Sequence, residues 1–325
     1  MTKAEQATPV EKKKVGDALG ELANGIGQKA SDAFEGAVDT LDKSKAAVFD
    51  AIDQNGNGEI DIEDVIIMGL KTPGVRICRS DFLEQEFFKR YPMEVIDDAI
   101  ARTPALAGIP SDEIDKIADT VIQYERNYVS GISAALGVPG GFAMAATIPA
   151  DIAQYYGYML RAAQKLLYLY GFPQIDTTEK GRKFDAETLN TLILCLGVMY
   201  GAAGANNALK AMAQALAVGV EKKILNAALT KGTIYPVVKS VASFFGKTMT
   251  KQVFAGFFKK AIPVVGGVLG GGITYLSFKP CCDKLKISLQ DTLLSNPNRN
   301  MKNINIDNII DIDSFIVLDE TEIDS

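Results

Sequence analysis

Apolar residues recur at steps of three and four along most of this chain, which is the spacing that lines one face of an α-helix. The pattern predicts amphipathic helices, separated by prolines and glycines, at Arg79–Tyr91, Met93–Arg102, Asp112–Val129 and Asp151–Tyr170. No stretch of useful length alternates between apolar and polar residues as a half-buried strand does. The predicted fold class is therefore all-α, a multi-helical body whose Gly- and Ala-rich helices pack closely.

Three longer stretches carry almost no charge and approach the roughly 20 apolar residues that cross a bilayer. They are Asn127–Ala150, Asn190–Val220 and Ala261–Phe278. Prolines and paired glycines interrupt the first, Lys210 lies inside the second, and the third opens near a proline. We therefore expect buried helices in preference to membrane insertion, with peripheral membrane contact compatible with either arrangement.

Shifts in composition divide the chain into four predicted parts. Residues 1–43 are a polar arm with a marginal amphipathic helix, 44–72 a helix–loop–helix, 76–288 the helical body, and 289–325 an acidic tail that we expect to be disordered. The lysine-rich start has no apolar core behind it, so a signal peptide is not expected.

The composition argues against several classes of function. A net charge of −6 and a pI near 5.0 leave no basic stripe to neutralise phosphates, so we expect no nucleic-acid partner. The chain contains no histidine, which removes Ser–His and Cys–His nucleophile pairs and His-ligated zinc. Its four cysteines form no CxxC pair, and the simplest setting is reduced and cytoplasmic, with a peripheral location at the membrane as the variant.

One segment of twelve residues, 53–64, carries the sharpest chemical signal and reads DQNGNGEIDIED. Oxygen-bearing side chains recur along it, Gly58 lies where such a loop must turn sharply, and a backbone carbonyl adds a further oxygen. A hard divalent cation takes about six to eight oxygens from a short loop with this spacing. The predicted ligands are Asp53, Asn55, Asn57, Glu59 through its carbonyl, Asp61 and Asp64.

This segment resembles an EF-hand calcium loop, with Ala46–Ile52 as the entering helix and Glu63–Leu70 as the leaving helix. Asp64 stands where EF-hands usually have Glu, and its shorter arm predicts weaker calcium binding or a shift toward magnesium. The alternative is an acidic turn that binds no ion. EF-hand loops usually pair, so a single loop implies either packing against the body or pairing between two chains in a homo-oligomer.

Short ordered motifs run through residues 76–288. They are FLEQEF within Arg79–Tyr91, GVPGG at Gly137–Gly141, Pro149–Asp151 at the start of a helix, and the glycine-rich segment Pro263–Tyr275. In their order and residue pattern, these motifs resemble the bacterial EcsC family. The resemblance implies a largely helical protein with a membrane association and an unsettled activity, and it brings no catalytic residues. The EF-hand-like loop is not part of that family pattern.

A polar face interrupts the predicted helix 151–170. Asp151, Arg161 and Lys165 share that face at helical spacing. One interpretation is a site lined by these three side chains that binds an anionic head group or a cofactor. The other is a buried salt-bridge network, with Glu125 as a partner from the preceding helix, that fixes helix register.

Two function hypotheses follow from these patterns. The leading one is a non-enzymatic, calcium-binding protein whose loop sets the angle between the arm and an EcsC-like body, and so governs contact with a membrane surface or a membrane-protein partner. A permanent structural ion is equally consistent with the sequence. The competing hypothesis is a lipid or small-ligand carrier, or an enzyme, with a polar site around Asp151 and Arg161.

Overall fold

The computed structural model describes six parts of the chain: residues 53–54, 61–136, 143–177, 184–220, 222–246 and 266–298. The chain divides into two units, Met1–Asp50 and Ala51–Ser325, and every described residue belongs to the second. All regular structure within the described residues is helical, so the all-α prediction is confirmed. The predicted arm and the predicted entering helix of the loop lie outside them.

Ten helices follow one another in the described residues. Their bounds are α1 (Ile62–Lys71), α2 (Arg79–Phe87), α3 (Met93–Ala101), α4 (Ser111–Leu136), α5 (Ala143–Leu169), α6 (Ala186–Tyr200), α7 (Ala205–Ala217), α8 (Lys222–Thr230), α9 (235–246) and α10 (Gly266–Gln290). The four helices predicted from apolar spacing correspond to α2, α3, α4 and α5.

Helices α4 and α5 extend beyond their predicted bounds. Helix α4 continues to Leu136, and α5 already begins at Ala143 and runs through Pro149, where we expected an interruption. A glycine or proline in a helix costs stability without forbidding the helix. Since α4 packs along α10 and α5 packs against α4, tertiary contact offsets that cost.

Helix α5 lies at the centre of the core. It contacts α1, α2, α4, α6 and α10, and nearly every residue from Tyr156 to Tyr170 is buried. Burial on all faces is what its almost continuous apolar sequence indicates. The few polar side chains of this helix must therefore find partners on the elements packed against it.

Helices α1 and α5 approach each other backbone to backbone. A Cβ added at Gly69 would lie 3.1 Å from the backbone nitrogen of Gly157, and a Cβ added at Gly157 would lie 3.2 Å from the carbonyl oxygen of Gly69. Only glycine allows this approach without displacing one helix. Helix α1 is also buried along most of its length. The leaving helix of the EF-hand-like loop thus packs against the body, one of the two arrangements expected for a single loop.

The low-charge stretch Asn190–Val220 forms most of α6 and all of α7, and α6 is buried from Thr188 to Met199. Within the part of the chain that the structure describes, no helix combines the length and the apolar run that crossing a membrane requires.

The body continues past residue 288. After α10, Leu294 is buried, and the hydroxyls of Thr292 and Ser295 lie 3.2 Å apart in a buried turn. The first part of the segment predicted as an acidic tail, 289–298, therefore packs on the body. The remainder from residue 299 lies outside the described residues.

Candidate functional site

Asp64 joins the two ends of the EF-hand-like segment. Its side chain is fully buried. One carboxylate oxygen accepts the backbone N–H of Gln54 at 2.8 Å, and the other accepts the backbone N–H of Asp61 at 2.9 Å. The second and ninth residues of the segment are therefore both fixed to the twelfth. These two bonds hold the described ends of the segment close together.

Asp61 starts the leaving helix. Its carboxylate accepts hydrogen bonds from the backbone N–H groups of Glu63 at 2.7 Å and Asp64 at 3.2 Å. In return, the Asp64 carboxylate accepts the backbone N–H of Asp61. This reciprocal arrangement is a capping box, which satisfies N–H groups that the first turn of a helix leaves open. Helix α1 consequently begins one residue before the predicted start at Glu63 and ends one residue after Leu70.

Negative charge accumulates at this end of α1. Burial raises the pKa of the half-buried Glu63 carboxyl, and repulsion from Asp61 and Asp64 raises it further. The fold holds these carboxylates together against their repulsion. A cation beside them would lower the cost of keeping all three ionised.

The predicted ligand set is only partly described. Asn55, Asn57 and Glu59 lie outside the described residues. Within the described residues, no three His, Cys, Asp or Glu side chains come together in a group that could hold a metal ion. Asp53, Asp61 and Asp64 therefore do not make such a group by themselves. Binding of calcium or magnesium needs the amide and carbonyl oxygens of the middle of the loop, and it stays a prediction.

The polar face of α5 converges on one buried carboxylate. Glu125 of α4 is fully buried, and its Oε1 accepts hydrogen bonds from Arg161 Nε at 2.9 Å and from Lys165 Nζ at 2.7 Å. Its Oε2 has no hydrogen-bond partner among the described residues. The structure thus brings together two of the three side chains predicted to bind a ligand. The third, Asp151, lies on α5, but its side chain is outside the described part.

Aromatic rings cover the two cations. Lys165 Nζ lies 5.4 Å from the ring centroid of Phe82 and 5.8 Å from that of Tyr124, and the Arg161 guanidinium lies 5.9 Å from the centroid of Tyr158. These are cation–π distances. The arrangement around Glu125 is the buried salt-bridge network of the second interpretation. Ligand binding by Asp151, Arg161 and Lys165 stays a prediction.

The same face of α5 also holds the turn that follows α1. Arg161 Nη1 donates to the carbonyl of Gly74 at 2.5 Å, and Gln164 donates to the carbonyl of Val75 at 3.0 Å while accepting the N–H of Ile77 at 3.2 Å. Gln164 was not predicted as a site residue, although it lies three residues after Arg161 and therefore shares its helix face.

Comparison of the chain with protein-family models, with curated proteins and with solved structures found no match in any of the three. The resemblances of residues 53–64 to EF-hand loops and of residues 76–288 to the EcsC family therefore stay predictions.

Proposed function

We propose that this protein binds calcium, with magnesium as the weaker alternative, through residues 53–64, and that the bound ion stabilises the helical body. The observation that supports this is the buried Asp64 carboxylate, which closes the segment at both ends. The same carboxylate completes the capping box of α1, so its role as a ligand depends on the acceptor positions that the two N–H groups leave open.

The donor chemistry fits a hard divalent cation. Asp53, Asp61 and Asp64 would supply carboxylate oxygens, Asn55 and Asn57 amide oxygens, and Glu59 its backbone carbonyl. A carboxylate has about four acceptor positions, so the N–H bonds of Asp64 are compatible with ligation. The ion would supply two positive charges beside carboxylates whose repulsion already raises the pKa of Glu63.

Helix α1 connects the proposed ion site to the helical body. Asp64 is the third residue of that helix, and α1 meets α5 backbone to backbone at Gly69 and Gly157. An ion that binds the closed loop and not the unfolded chain adds its binding free energy to the stability of everything that unfolds with α1. The resemblance to the EcsC family adds contact with a membrane surface to this proposal.

The test is titration of the full-length, metal-stripped protein with calcium and with magnesium by calorimetry, beside thermal unfolding at each ion concentration. We expect heat of binding and, at one hundred times Kd, about 2.7 kcal/mol of added stability. Asp53→Ala should abolish both effects. Asp64 is a poor choice for this purpose because its loss also removes the capping box of α1.

The matched control is Asp97→Ala, which removes an exposed carboxylate from α3. It should bind calcium as the unaltered chain does. Absence of heat, together with no metal in the protein as first purified, would refute the proposal. Equal binding by the Asp53→Ala variant would place the ion elsewhere.

A further inference from the structure

A pocket of about 230 Å³ lies between the segment that follows α5 and the helices α6, α7 and α8. Its walls are mostly apolar, and they include the side chains of Phe172, Ile175, Met212, Leu216 and Leu225. All of these except Leu216 are buried. An apolar cavity of about 150 Å³ already holds benzene, so this pocket has room for a ring or a short chain with one substituent.

The pocket adjoins a wider cleft. Residues 173–176 and Leu216 line both the pocket and a cleft of about 900 Å³. The cleft is open to solvent, and a small molecule can therefore reach the pocket through it. No motif in the sequence pointed to this place.

Most polar side chains in the lining of the pocket already have partners. The Gln174 amide donates to the carbonyl of Ile175 at 2.7 Å, and the Thr188 hydroxyl donates to the carbonyl of Asp176 at 2.7 Å. The side chains of Asp176 and Glu187 are not spare, since both residues take part in further interactions. No lysine or arginine is among the described residues that line the pocket. The lining therefore does not favour a charged ligand.

Thr191 differs from these residues. It lines the pocket from α6, it is 6% exposed, and its hydroxyl forms no hydrogen bond with another described residue. On α8, by contrast, the Thr230 hydroxyl donates to the carbonyl four residues before it at 2.8 Å. A buried hydroxyl without a partner costs folding stability, and buried polar groups almost always have one. The Thr191 hydroxyl therefore remains for a group that enters the pocket.

We propose that this pocket binds a small uncharged molecule with an apolar body and one hydroxyl or carbonyl group, which forms a hydrogen bond with Thr191. The apolar body lies along Phe172, Met212 and Leu225. The threonine hydroxyl can donate and accept, so it can pair with either group. The pocket shares no residue with segment 53–64 or with the polar face of α5, and the proposal is independent of cation binding.

Four probes with the same ring test the class of ligand: benzyl alcohol, toluene, benzoate and benzylammonium. Equilibrium dialysis of the unaltered full-length protein in sealed cells measures how much of each is bound. We expect the two neutral probes to bind at millimolar concentration, and the two ions to bind at least about tenfold more weakly, because the pocket would desolvate their charge. Tighter binding of either ion, or no binding of the neutral probes, overturns the proposal.

Replacement of Thr191 tests the hydrogen bond. Thr191→Val keeps the shape of the side chain and removes its hydroxyl, so the Kd of benzyl alcohol should rise about fivefold while that of toluene stays the same. The matched control is Thr120→Val, which changes an exposed threonine on α4 and should alter neither Kd. An equal change for the two probes, or no change for either, in the Thr191→Val variant contradicts the role given to this hydroxyl.

Two nearby valines test the location of the site. Val220 lines the pocket, whereas Val218 is 53% exposed and lies outside its lining. Val220→Phe should fill the pocket and abolish binding of both neutral probes, and Val218→Phe should bind them as the unaltered chain does. Circular dichroism checks that each variant is folded. Unchanged binding by a folded Val220→Phe variant places the probes elsewhere and overturns the proposal.

Discussion

Two arginines connect the N-terminal helices to the region of α5, and they do so in opposite ways. Arg161 donates to the buried carboxylate of Glu125, whereas the acceptors of the Arg79 guanidinium among the described residues are all backbone carbonyls. An ion pair cancels charge locally, although the single Glu125 carboxylate is shared by two cations, Arg161 and Lys165. Carbonyl oxygens satisfy hydrogen bonds without cancelling the charge. The difference separates a cation held by an opposite charge from one held by backbone dipoles.

The largest effect should come from breaking the ion pair. Glu125→Ala leaves Arg161 and Lys165 without their shared carboxylate in a buried setting, and we expect a loss of about 3–5 kcal/mol in the free energy of unfolding. Urea denaturation at neutral pH measures it. The control is Glu113→Ala on the same helix, whose pairs with Arg90 and Lys116 are exposed and should cost less than about 1 kcal/mol. Similar losses in the two variants would contradict a structural role for Glu125.

A smaller loss should follow from replacing Arg79, which has no carboxylate partner among the described residues. Arg79→Lys keeps the charge but has no planar fork to reach four carbonyls, and we expect a loss of about 2–3 kcal/mol in the free energy of unfolding. Urea denaturation measures it. The exposed Arg90→Lys change should stay within about 0.5 kcal/mol. Equal losses in the two variants would contradict the structural role given to Arg79.

The smallest effect concerns the tyrosine beside Arg79. Burial raises the pKa of Tyr168 to about 12, while the N–H of Ile175 and the charge of Arg79 act in the lowering direction. Because the folded pKa lies above the ordinary value near 10, this tyrosine's contribution to stability is complete below pH 10 and is lost as pH rises toward 12. Urea denaturation between pH 8 and 11 should therefore show a decline above pH 10. Tyr168→Phe should weaken the decline, and the exposed Tyr275→Phe should not.

Much of the fold could be predicted because it depends on local spacing. The steps of three and four residues identified α2, α3, α4 and α5, and Gly171 ends α5 with φ 94°, as its position after the apolar run indicated. The grouping of Arg161 with Lys165 was equally accessible, because residues four apart share one face of any helix. Glu125 was predicted as a partner from its place on the preceding helix, just before the apolar run.

The rest depends on contacts between distant segments. The acceptors of Arg79 lie 20 to 93 residues away in the chain, at the end of α3 and after α5. No periodicity indicates which carbonyls a folded chain brings to a guanidinium. The contact between Gly69 and Gly157 could not be predicted either, since a glycine in a helix pattern lowers helix stability whether or not another backbone lies against it.

The attachment of α1 to α5 has a consequence for the order in which the chain folds. The Ile77 N–H donates to the Gln164 amide oxygen and the Gln164 amide donates to the Val75 carbonyl, and these bonds join positions 87 and 89 residues apart. Closing so long a segment loses chain entropy before any of these contacts forms. We therefore expect α1 to reach its place only when the segment from α2 to α5 has collapsed. A nascent chain that ends before α5 contains all of residues 53–64 but lacks the helix against which α1 packs.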